Sequence, residues 1–353
     1  MKLKTFIAFS GLTLAALLAA VAAVHNRDAA PAQDADAAGQ PLIPGLAQRL
    51  NQVTVLALSA GAQSVTLARS DPESRQWSIV EKSGYAADPD SVRRAILALA
   101  GARTAEPRTA DPAQYSRLAL GDEAATLVTL RGADGSELPG LAIGKTVSAA
   151  TPDHPGSFYA RRGSERQTWL AEGRLPPLSA DPLQWLVRDL PSMARGRVAS
   201  VTVDRGGGDT LTIGRKDPAT ADFTLSGPSR PGKPRQTKIN DLAGAAEFLT
   251  LEDVAVADST AKATTVTTTL RSFEGEALTI RVSRRDGHAW ASFSATLDGA
   301  ARSPEAEQRV KEIQQRTATW SYRLSDAAAK DLAPSVDELI EAAKPDETAA
   351  KKK

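Results

Sequence analysis

The sequence is poor in the residue types that most often carry chemistry. Its 353 residues include no cysteine and only three histidines, His25, His154 and His288. Without cysteine the chain forms no disulfide, iron–sulfur cluster or catalytic thiolate. The histidines are far apart in sequence and no HExxH pattern occurs, so we expect exposed histidines that bind no metal, and no metal site.

An excess of charge of one sign is also lacking. The chain carries 43 lysines and arginines against 42 aspartates and glutamates, a formal net charge of +1. Proteins that bind nucleic acid usually concentrate basic residues on one face, so no nucleic-acid partner is predicted. Hydrophobic residues make up 42% of the chain. That fraction and the chain length predict packed cores in two domains of ordinary size.

A long uncharged run stands at the N-terminus. Lys2 and Lys4 precede Thr5–Val24, which is long enough to cross a bilayer as a helix. We expect residues 1–25 to form an uncleaved transmembrane anchor in the bacterial inner membrane, with the bulk of the chain in the periplasm. The alternative is a signal peptide cleaved near Ala22, which would leave a soluble periplasmic protein. Residues 26–48 are rich in Ala, Asp, Gln and Pro and are predicted to be a flexible linker.

The remaining sequence divides into two halves with similar patterns, residues 49–192 and 193–330. Each half opens with three predicted strands: Val53–Ser59, Ser64–Arg69 and Gln76–Lys82 in the first, Val198–Arg205, Asp209–Arg215 and Ala221–Gly227 in the second. A predicted helix follows in each half, with Asp88 as N-cap in the first and an apolar stripe (Ile239, Leu242, Ala246, Leu249) in the second. Val65 and Trp77 match Leu211 and Phe223 at one common offset.

These patterns predict an α+β fold. We expect two tandem repeats of a mainly antiparallel sheet with a packed helix, preceded by one N-terminal transmembrane helix. Residues 331–353 are predicted to form a C-terminal helix and a charged tail.

The stretch GLAIGKT, Gly140–Thr146, resembles the end of a phosphate-binding P-loop. The P-loop pattern needs four residues between its glycines, but only three separate Gly140 from Gly144. Pro152 and Pro155 follow, so no long helix can begin there to bind phosphate. The second half has ALTIRVS at this place, a plain strand pattern. We therefore predict a strand at Leu141–Ile143 and a turn at Gly144-Lys145, with no nucleotide site.

Hydrolytic chemistry has little support in the sequence. There is no G-x-S-x-G pattern, and the nearest serines, Ser59 and Ser64, lie in a predicted hairpin. The adjacent carboxylates are explained as helix ends: Asp88 and Asp90 at a helix start, Glu252 and Asp253 at a helix close.

The basic pairs and the tryptophans are also given structural roles. Arg161-Arg162 and Arg284-Arg285 are interpreted as edge-strand charges that discourage aggregation, in preference to a polyanion site. The five tryptophans are expected to pack in cores. The sequence therefore offers no catalytic, cofactor-binding or metal-binding residue, and we expect a protein that is not an enzyme and needs no cofactor.

An ordered series of motifs resembles a known family. The series is Trp77, Tyr85–Pro89, Tyr115–Leu120, Leu141–Lys145 and Tyr159–Leu170. Together these segments resemble the bacterial envelope family called domain of unknown function 4340, over about residues 50–330. The resemblance implies a membrane-anchored, externally facing accessory, of a kind often encoded beside ABC-transporter components of the gliding-motility type. It implies no catalytic residue.

Two functions are therefore expected. The first is a membrane-anchored periplasmic accessory or scaffolding protein, whose partners are an ABC transporter permease or other membrane subunits. The alternative is a secreted periplasmic protein that binds a polysaccharide or a small ligand. An exported hydrolase is the third and weakest reading.

Overall fold

A computed structural model describes residues 38–227, 232–257, 265–298 and 303–342. The predicted anchor at residues 1–25 and most of the predicted linker lie outside these ranges. Within them, no helix is both long enough and apolar enough to cross a membrane. The chain divides into two compact units, the first ending at Val187 and the second beginning at Arg188.

The first unit is built on one nine-stranded antiparallel sheet. Its strands are β1 (Val53–Ala60), β2 (Gln63–Ala68), β3 (Trp77–Ile79), β4 (Tyr85–Ala87), β5 (Arg103–Pro107), β6 (Thr126–Gly132), β7 (Leu141–Ser148), β8 (Gly156–Arg162) and β9 (Thr168–Gly173). Their order in the sheet is β4-β3-β2-β1-β6-β7-β8-β9-β5. The helices are α1 (Leu46–Arg49) and α2 (Pro89–Gly101), with 3-10 helices at Leu50–Gln52, Val80–Lys82, Pro112–Leu118 and Pro182–Trp185.

The second unit contains an eight-stranded antiparallel sheet and a small strand pair. Its elements are a 3-10 helix (Arg195–Arg197), β10 (Val198–Asp204), β11 (Thr210–Gly214), β12 (Thr224–Ser226), β13 (Gly232–Pro234), α3 (Gln236–Gly244), β14 (Asp253–Val256), β15 (Thr265–Ser272), β16 (Glu276–Arg285), β17 (His288–Leu297), α4 (Pro304–Thr317), β18 (Trp320–Leu324), α5 (Asp326–Leu332), α6 (Val336–Leu339) and β19 (Ile340–Ala342). The large sheet runs β12-β11-β10-β15-β16-β17-β18-β14, and β13 pairs with β19.

The two large sheets share one strand order. Strands β10, β11 and β12 take the places of β1, β2 and β3, and β14–β18 take the places of β5–β9. Edge strand β4 has no counterpart in the second large sheet, because β13 pairs with β19 instead. Both sheets also carry a register shift at the same place, between Val53 and Val55 in β1 and between Val198 and Ser200 in β10. The predicted α+β class with mainly antiparallel sheets is confirmed.

Helix α2 shows why the sequence folds as it does locally. The Asp88 carboxylate accepts hydrogen bonds from the backbone N–H groups of Asp90 and Ser91, and Pro89 occupies the first helical position. The helix buries Val92, Ile96 and Leu99 with two alanines on one face, the stripe expected of a helix packed on a sheet. The predicted N-cap at Asp88 is correct.

Each large sheet contains one arginine that makes the same two contacts within its own unit. We call these two residues, Arg69 and Arg215, the arginine clamps. Arg69 Nε donates to the Val53 carbonyl oxygen at 2.7 Å, and its guanidinium lies 5.1 Å from the centre of the Trp77 ring. Arg215 Nε donates to the Val198 carbonyl oxygen at 2.8 Å, and its guanidinium lies 4.8 Å from the centre of the Phe223 ring. Both clamps therefore tie the register shift of the sheet to the aromatic residue that follows.

The loop after each clamp is capped by an aspartate two residues on. Asp71 Oδ1 accepts from the N–H groups of residues 73 and 74, and Asp217 Oδ1 accepts from those of residues 219 and 220. The two segments read RSDPESRQW and RKDPATADF. A shared R-x-D-P sequence thus produces the same turn twice.

Part of the predicted linker belongs to the first unit. Leu42, Ile43 and Leu46 are fully buried. The Gly39 N–H donates to the Thr104 carbonyl oxygen, and the Leu42 N–H donates to that of Ala102. The described end of the region predicted as a flexible linker is therefore packed along the edge of β5, because an edge strand offers unpaired backbone groups and these leucines and isoleucine offer apolar surface to bury.

Other local predictions need correction. The strand of GLAIGKT does not end at Ile143, because β7 continues to Ser148. Glu252 and Asp253 do not close a helix: α3 ends at Gly244, and Asp253 begins β14. The long apolar stripe predicted for that helix is thus shared between α3 and the segment after it.

The arginine pairs do not lie on edge strands. Arg161 and Arg162 are on β8, between β7 and β9, and both are buried. Arg284 and Arg285 end β16, between β15 and β17. Arg284 pairs with Asp326 at 3.0 Å, and Arg285 stacks on the Trp290 ring at 3.8 Å.

The serines, tryptophans and histidines named from the sequence differ in their burial. Ser59 and Ser64 face each other in the β1–β2 hairpin as predicted. Trp77, Trp169 and Trp185 are buried, whereas Trp290 and Trp320 are half-buried. His154 and His288 are exposed, and His25 lies outside the described residues. Residues 331–342 pack in the second unit through Leu332 and Leu339.

Candidate functional site

Three of the motif segments meet on one face of the first sheet. The 3-10 helix Pro112–Leu118, strand β7 and strand β8 together bury a small cluster that we call the tyrosine face. Its members are Leu120, Ala125 and Ala142, with Tyr115, Leu118, Leu127 and Tyr159 packed against them. Arg161 shares this face with Tyr159, because alternate residues of a strand point to the same side.

Tyr115 is held at both ends. Its hydroxyl donates to the Arg166 carbonyl oxygen at 2.6 Å, and the Arg161 guanidinium lies 5.2 Å from the centre of its ring. Burial raises the pKa of Tyr115, while the positive charges of Arg161 and Arg166 lower it by less. The phenol is therefore neutral at neutral pH and serves as a hydrogen-bond donor, not as a base.

Arg161 is engaged mainly by backbone. Its Nη1 donates to the Gly163 carbonyl oxygen at 2.9 Å and lies 3.4 Å from that of Glu165. The guanidinium thus ties down the turn between β8 and β9 while it stacks on Tyr115. Arg161 Nε is buried and has no hydrogen-bond partner among the described residues.

Gly144 allows the 3-10 helix to lie against β7. The helix is followed by Ala119 in a left-handed conformation, with φ of 53°, which turns its last carbonyls toward the strand. A Cβ on Gly144 would overlap the Leu118 carbonyl oxygen and come within 3.1 Å of that of Ala119. The glycine of the Gly-Lys-Thr string is thus required for packing, and Lys145 beside it is exposed.

The opposite face of β8 carries a second buried arginine. Arg162 is 8% exposed, and its guanidinium lies 5.6 Å from the centre of the Trp169 ring. Its Nη1 lies 3.7 Å from a carboxylate oxygen of Glu165. The other donors, Arg162 Nε and Nη2, are buried without a hydrogen-bond partner, and so is Trp169 Nε1.

The second unit also contains a buried carboxylate, Glu276, of which one oxygen is paired and the other, Oε1, has no hydrogen-bond partner among the described residues. Glu276 is 1% exposed, and one of its carboxylate oxygens accepts from Arg197 and from Arg309 Nε. Glu274 pairs with the same two arginines. Desolvation lowers the pKa of Arg309, but the bonds and charges of Glu276 and Glu274 together raise it by more. The net shift of the pKa is therefore upward. We call these four residues the ion-pair cluster.

No group of three or more histidine, cysteine, aspartate or glutamate side chains within the described ranges is arranged to hold a metal ion. The features that sequence reasoning missed are the arginine clamps, Arg162 with Trp169, and the ion-pair cluster. The repeated R-x-D-P string was a usable signal for the clamps. No comparable signal links Glu276 to Arg309, which lie 33 residues apart.

The family model described as Domain of unknown function (DUF4340) matches residues 77–273, more than half of the chain. The chain belongs to this family. The match includes all the segments that form the tyrosine face and extends through β15. No curated protein and no solved structure matches the chain. The DUF4340 description names no activity.

Proposed function

We propose that the protein is a membrane-anchored periplasmic accessory or scaffolding protein, whose two sheet units serve as an interaction module for a membrane complex. The apolar run Thr5–Val24 behind Lys2 and Lys4 supports anchoring. The partners proposed are an ABC transporter permease or other membrane subunits, as the family resemblance suggests.

A non-enzymatic role is supported by the hydrogen bonds that polar side chains in the family segments make within their own unit. The Tyr115 hydroxyl and Arg161 Nη1 are bound to backbone carbonyl oxygens of their own unit. A general acid, base or nucleophile must instead be free to reach a substrate. Groups committed to internal contacts favour a structural and interaction role.

We also infer that the two units are tandem repeats of one ancestral unit. The shared strand order, the matched register shifts and the two arginine clamps support this inference. Each of these features alone is a common way to build an antiparallel sheet. Their joint recurrence at nearly constant spacing is more simply explained by duplication.

The anchoring proposal is tested by membrane fractionation of the full chain and N-terminal sequencing. We expect the protein to stay in the membrane after carbonate washing and to keep its first residues. The matched variant Ala20→Leu/Ala22→Leu removes the small residues of the cleavage site, and it should fractionate like the native chain. A mature protein that begins after Ala22 and moves to the membrane in this variant would support the secreted alternative instead.

The partner proposal is tested separately by cross-linking in native membranes, detergent extraction and mass spectrometry. We expect a permease or another membrane subunit to co-purify with the chain. Recovery only as a lone monomer, from cells in which the protein is membrane-bound, would contradict a scaffolding role while leaving the anchor intact.

A further inference from the structure

Arg162 is a buried cation whose inner edge has no partner. Nε and Nη2 are the two donors that a guanidinium uses to hold a carboxylate or phosphate in bidentate fashion. Both are enclosed and unpaired, and the indole N–H of Trp169 is enclosed and unpaired as well. A buried donor left without an acceptor is unfavourable, and a charged donor more so. An unpaired buried donor in a native fold calls for an explanation, such as strain, an ordered water or a bound ion.

The fold itself does not need a charge at this position. Arg162 lies two residues after Ala160, whose partner across the β8–β9 pair is Trp169. In the second unit, Phe293 lies two residues after Ala291, whose partner across the equivalent β17–β18 pair is Tyr322.

At that equivalent place the second unit is apolar and satisfied. The Phe293 and Tyr322 rings meet edge to face with centres 5.5 Å apart, and the Tyr322 hydroxyl donates to the Arg316 carbonyl oxygen. The same topology is therefore stable with two aromatic rings. The arginine of the first unit is an addition that packing does not explain.

Glu165 is an incomplete partner for this arginine. It lies 3.7 Å from Nη1, its side chain is about half exposed, and it leaves the Nε–Nη2 edge untouched. A carboxylate that satisfied Arg162 would bind that edge with two parallel hydrogen bonds. The Glu165 contact is thus weak enough to be displaced.

We propose that Arg162 and Trp169 form a binding site for a small oxyanion, a carboxylate or a phosphate group, at the turn between β8 and β9. Two oxygens of the ligand accept from Arg162 Nε and Nη2, and the Trp169 ring forms one wall. Because both nitrogens are closed off from solvent, ligand entry requires the Glu165 side chain to swing away and the turn at residues 163–167 to open. Opening the turn breaks the bonds by which Arg161 and Tyr115 hold its carbonyl oxygens. This inference does not depend on the membrane proposal.

The test uses the full chain in detergent and three variants. Arg162→Phe copies the second unit, Glu165→Gln removes the competing carboxylate, and Arg166→Gln removes an exposed charge from the same turn as a matched control. Binding of inorganic phosphate and of acetate is measured by calorimetry at constant ionic strength, and thermal unfolding is followed in phosphate, acetate and chloride. The two anions distinguish a phosphate site from a carboxylate site.

We expect the native chain to bind one of the two anions and to unfold at higher temperature in it than in chloride. Arg162→Phe should bind at least about tenfold more weakly, as the loss of a bidentate charge-assisted pair implies. In chloride it should unfold at higher temperature than the native chain, because an unpaired buried charge is gone. Arg166→Gln should behave like the native chain.

Glu165→Gln keeps the proposal testable if Arg162→Phe does not fold. It retains the arginine and should bind the anion more tightly than the native chain. The site would be excluded by either of two results: no binding of phosphate or acetate by the native chain and Glu165→Gln, or equal binding by the native chain and Arg162→Phe.

Discussion

The two sheet units have the same strand order but use different chemistry at equivalent places. After β8 the first unit makes a short turn at residues 163–167, whereas after β17 the second unit inserts helix α4 before β18. At equivalent positions of β8 and β17, the first unit buries Arg162 and the second unit buries Phe293. The comparison separates what the topology requires from what one unit has added.

The turn between the central strands shows the same contrast. Gly135 and Gly275 both have a left-handed backbone, with φ of 77° and 82°, so each turn needs a glycine. In the first unit Ser136 bonds to Asp134 within the turn. In the second unit the equivalent residue, Glu276, is part of the ion-pair cluster. A local hydrogen bond and a long-range network thus hold the same turn.

The largest effect should come from breaking that network. Glu276→Ala leaves Arg197 and Arg309 with Glu274 alone, and we expect a loss of about 3 kcal/mol in the stability of the second unit. This is the low end for a buried ion pair because both arginines are partly exposed. Hydrogen exchange, read separately for each unit, measures it.

The matched change in the first unit is Ser136→Ala, for which we expect a loss of only about 0.5 kcal/mol. Equal losses for Glu276→Ala and Ser136→Ala would show that the ion-pair cluster contributes no more than the local turn bond.

The next largest effect should come from Gly144→Ala. The new Cβ would overlap the Leu118 carbonyl oxygen, so the 3-10 helix has to move off β7 at a cost of about 2 kcal/mol. Thermal unfolding and the fluorescence of the first unit report the change. Gly101→Ala is the control, because no atom lies within 4 Å of its Cβ position. It should stabilise α2 slightly, and a destabilisation similar to that of Gly144→Ala would refute the steric explanation.

The arginine clamps compare the units directly. Arg69 makes side-chain bonds to three carbonyl oxygens, whereas Arg215 makes bonds to five. We expect Arg69→Met to cost about 1.5 kcal/mol and Arg215→Met somewhat more. Denaturant unfolding of each variant, with exchange to locate the change, checks the order. The reverse order would mean that the stacked aromatic, not the bond count, sets the strength of the clamp.

The smallest effect concerns the cap of the first clamp loop. Hydrogen bonds from the Ser70 hydroxyl and from the Ser74 N–H lower the pKa of Asp71, helped slightly by the Arg69 charge. A depressed carboxyl pKa contributes stability above the unfolded pKa, which is lost as pH falls through the folded value. Between pH 5 and about 3 the native chain should therefore lose slightly more stability than Asp71→Asn. If the native chain and Asp71→Asn lose stability in parallel as the pH falls, ionisation of Asp71 does not contribute to stability.

Sequence periodicity predicted the α+β class with mainly antiparallel sheets, but not the strand order of either sheet. Alternating residues located the opening strands of both units, and Asp88-Pro89 located the start of α2. Local signals of this kind act over a few residues, so the sequence displays them directly. The strand predicted at Leu141–Ile143 is confirmed, although it continues to Ser148.

The sites depend on contacts that the sequence does not display. Arg161-Arg162 resembles an exposed basic pair, and its burial follows only from the position of β8 between two other strands. Glu274 and Glu276 resemble solvated turn residues until α4 brings Arg309 to them. The end of the predicted linker became part of the fold because β5 lies on an edge of the first sheet, which is a property of strand order.

The segment packed along β5 sets the reach of the first unit from its proposed anchor. Gly39 is fixed to β5 by its hydrogen bond to Thr104, and residues 25–38 lie between it and the apolar run. Fourteen residues span at most about 50 Å when fully extended, far less than a tether running to residue 48 would allow. Under the anchoring proposal, the edge of the first sheet at β5 is therefore held within about 50 Å of the bilayer surface.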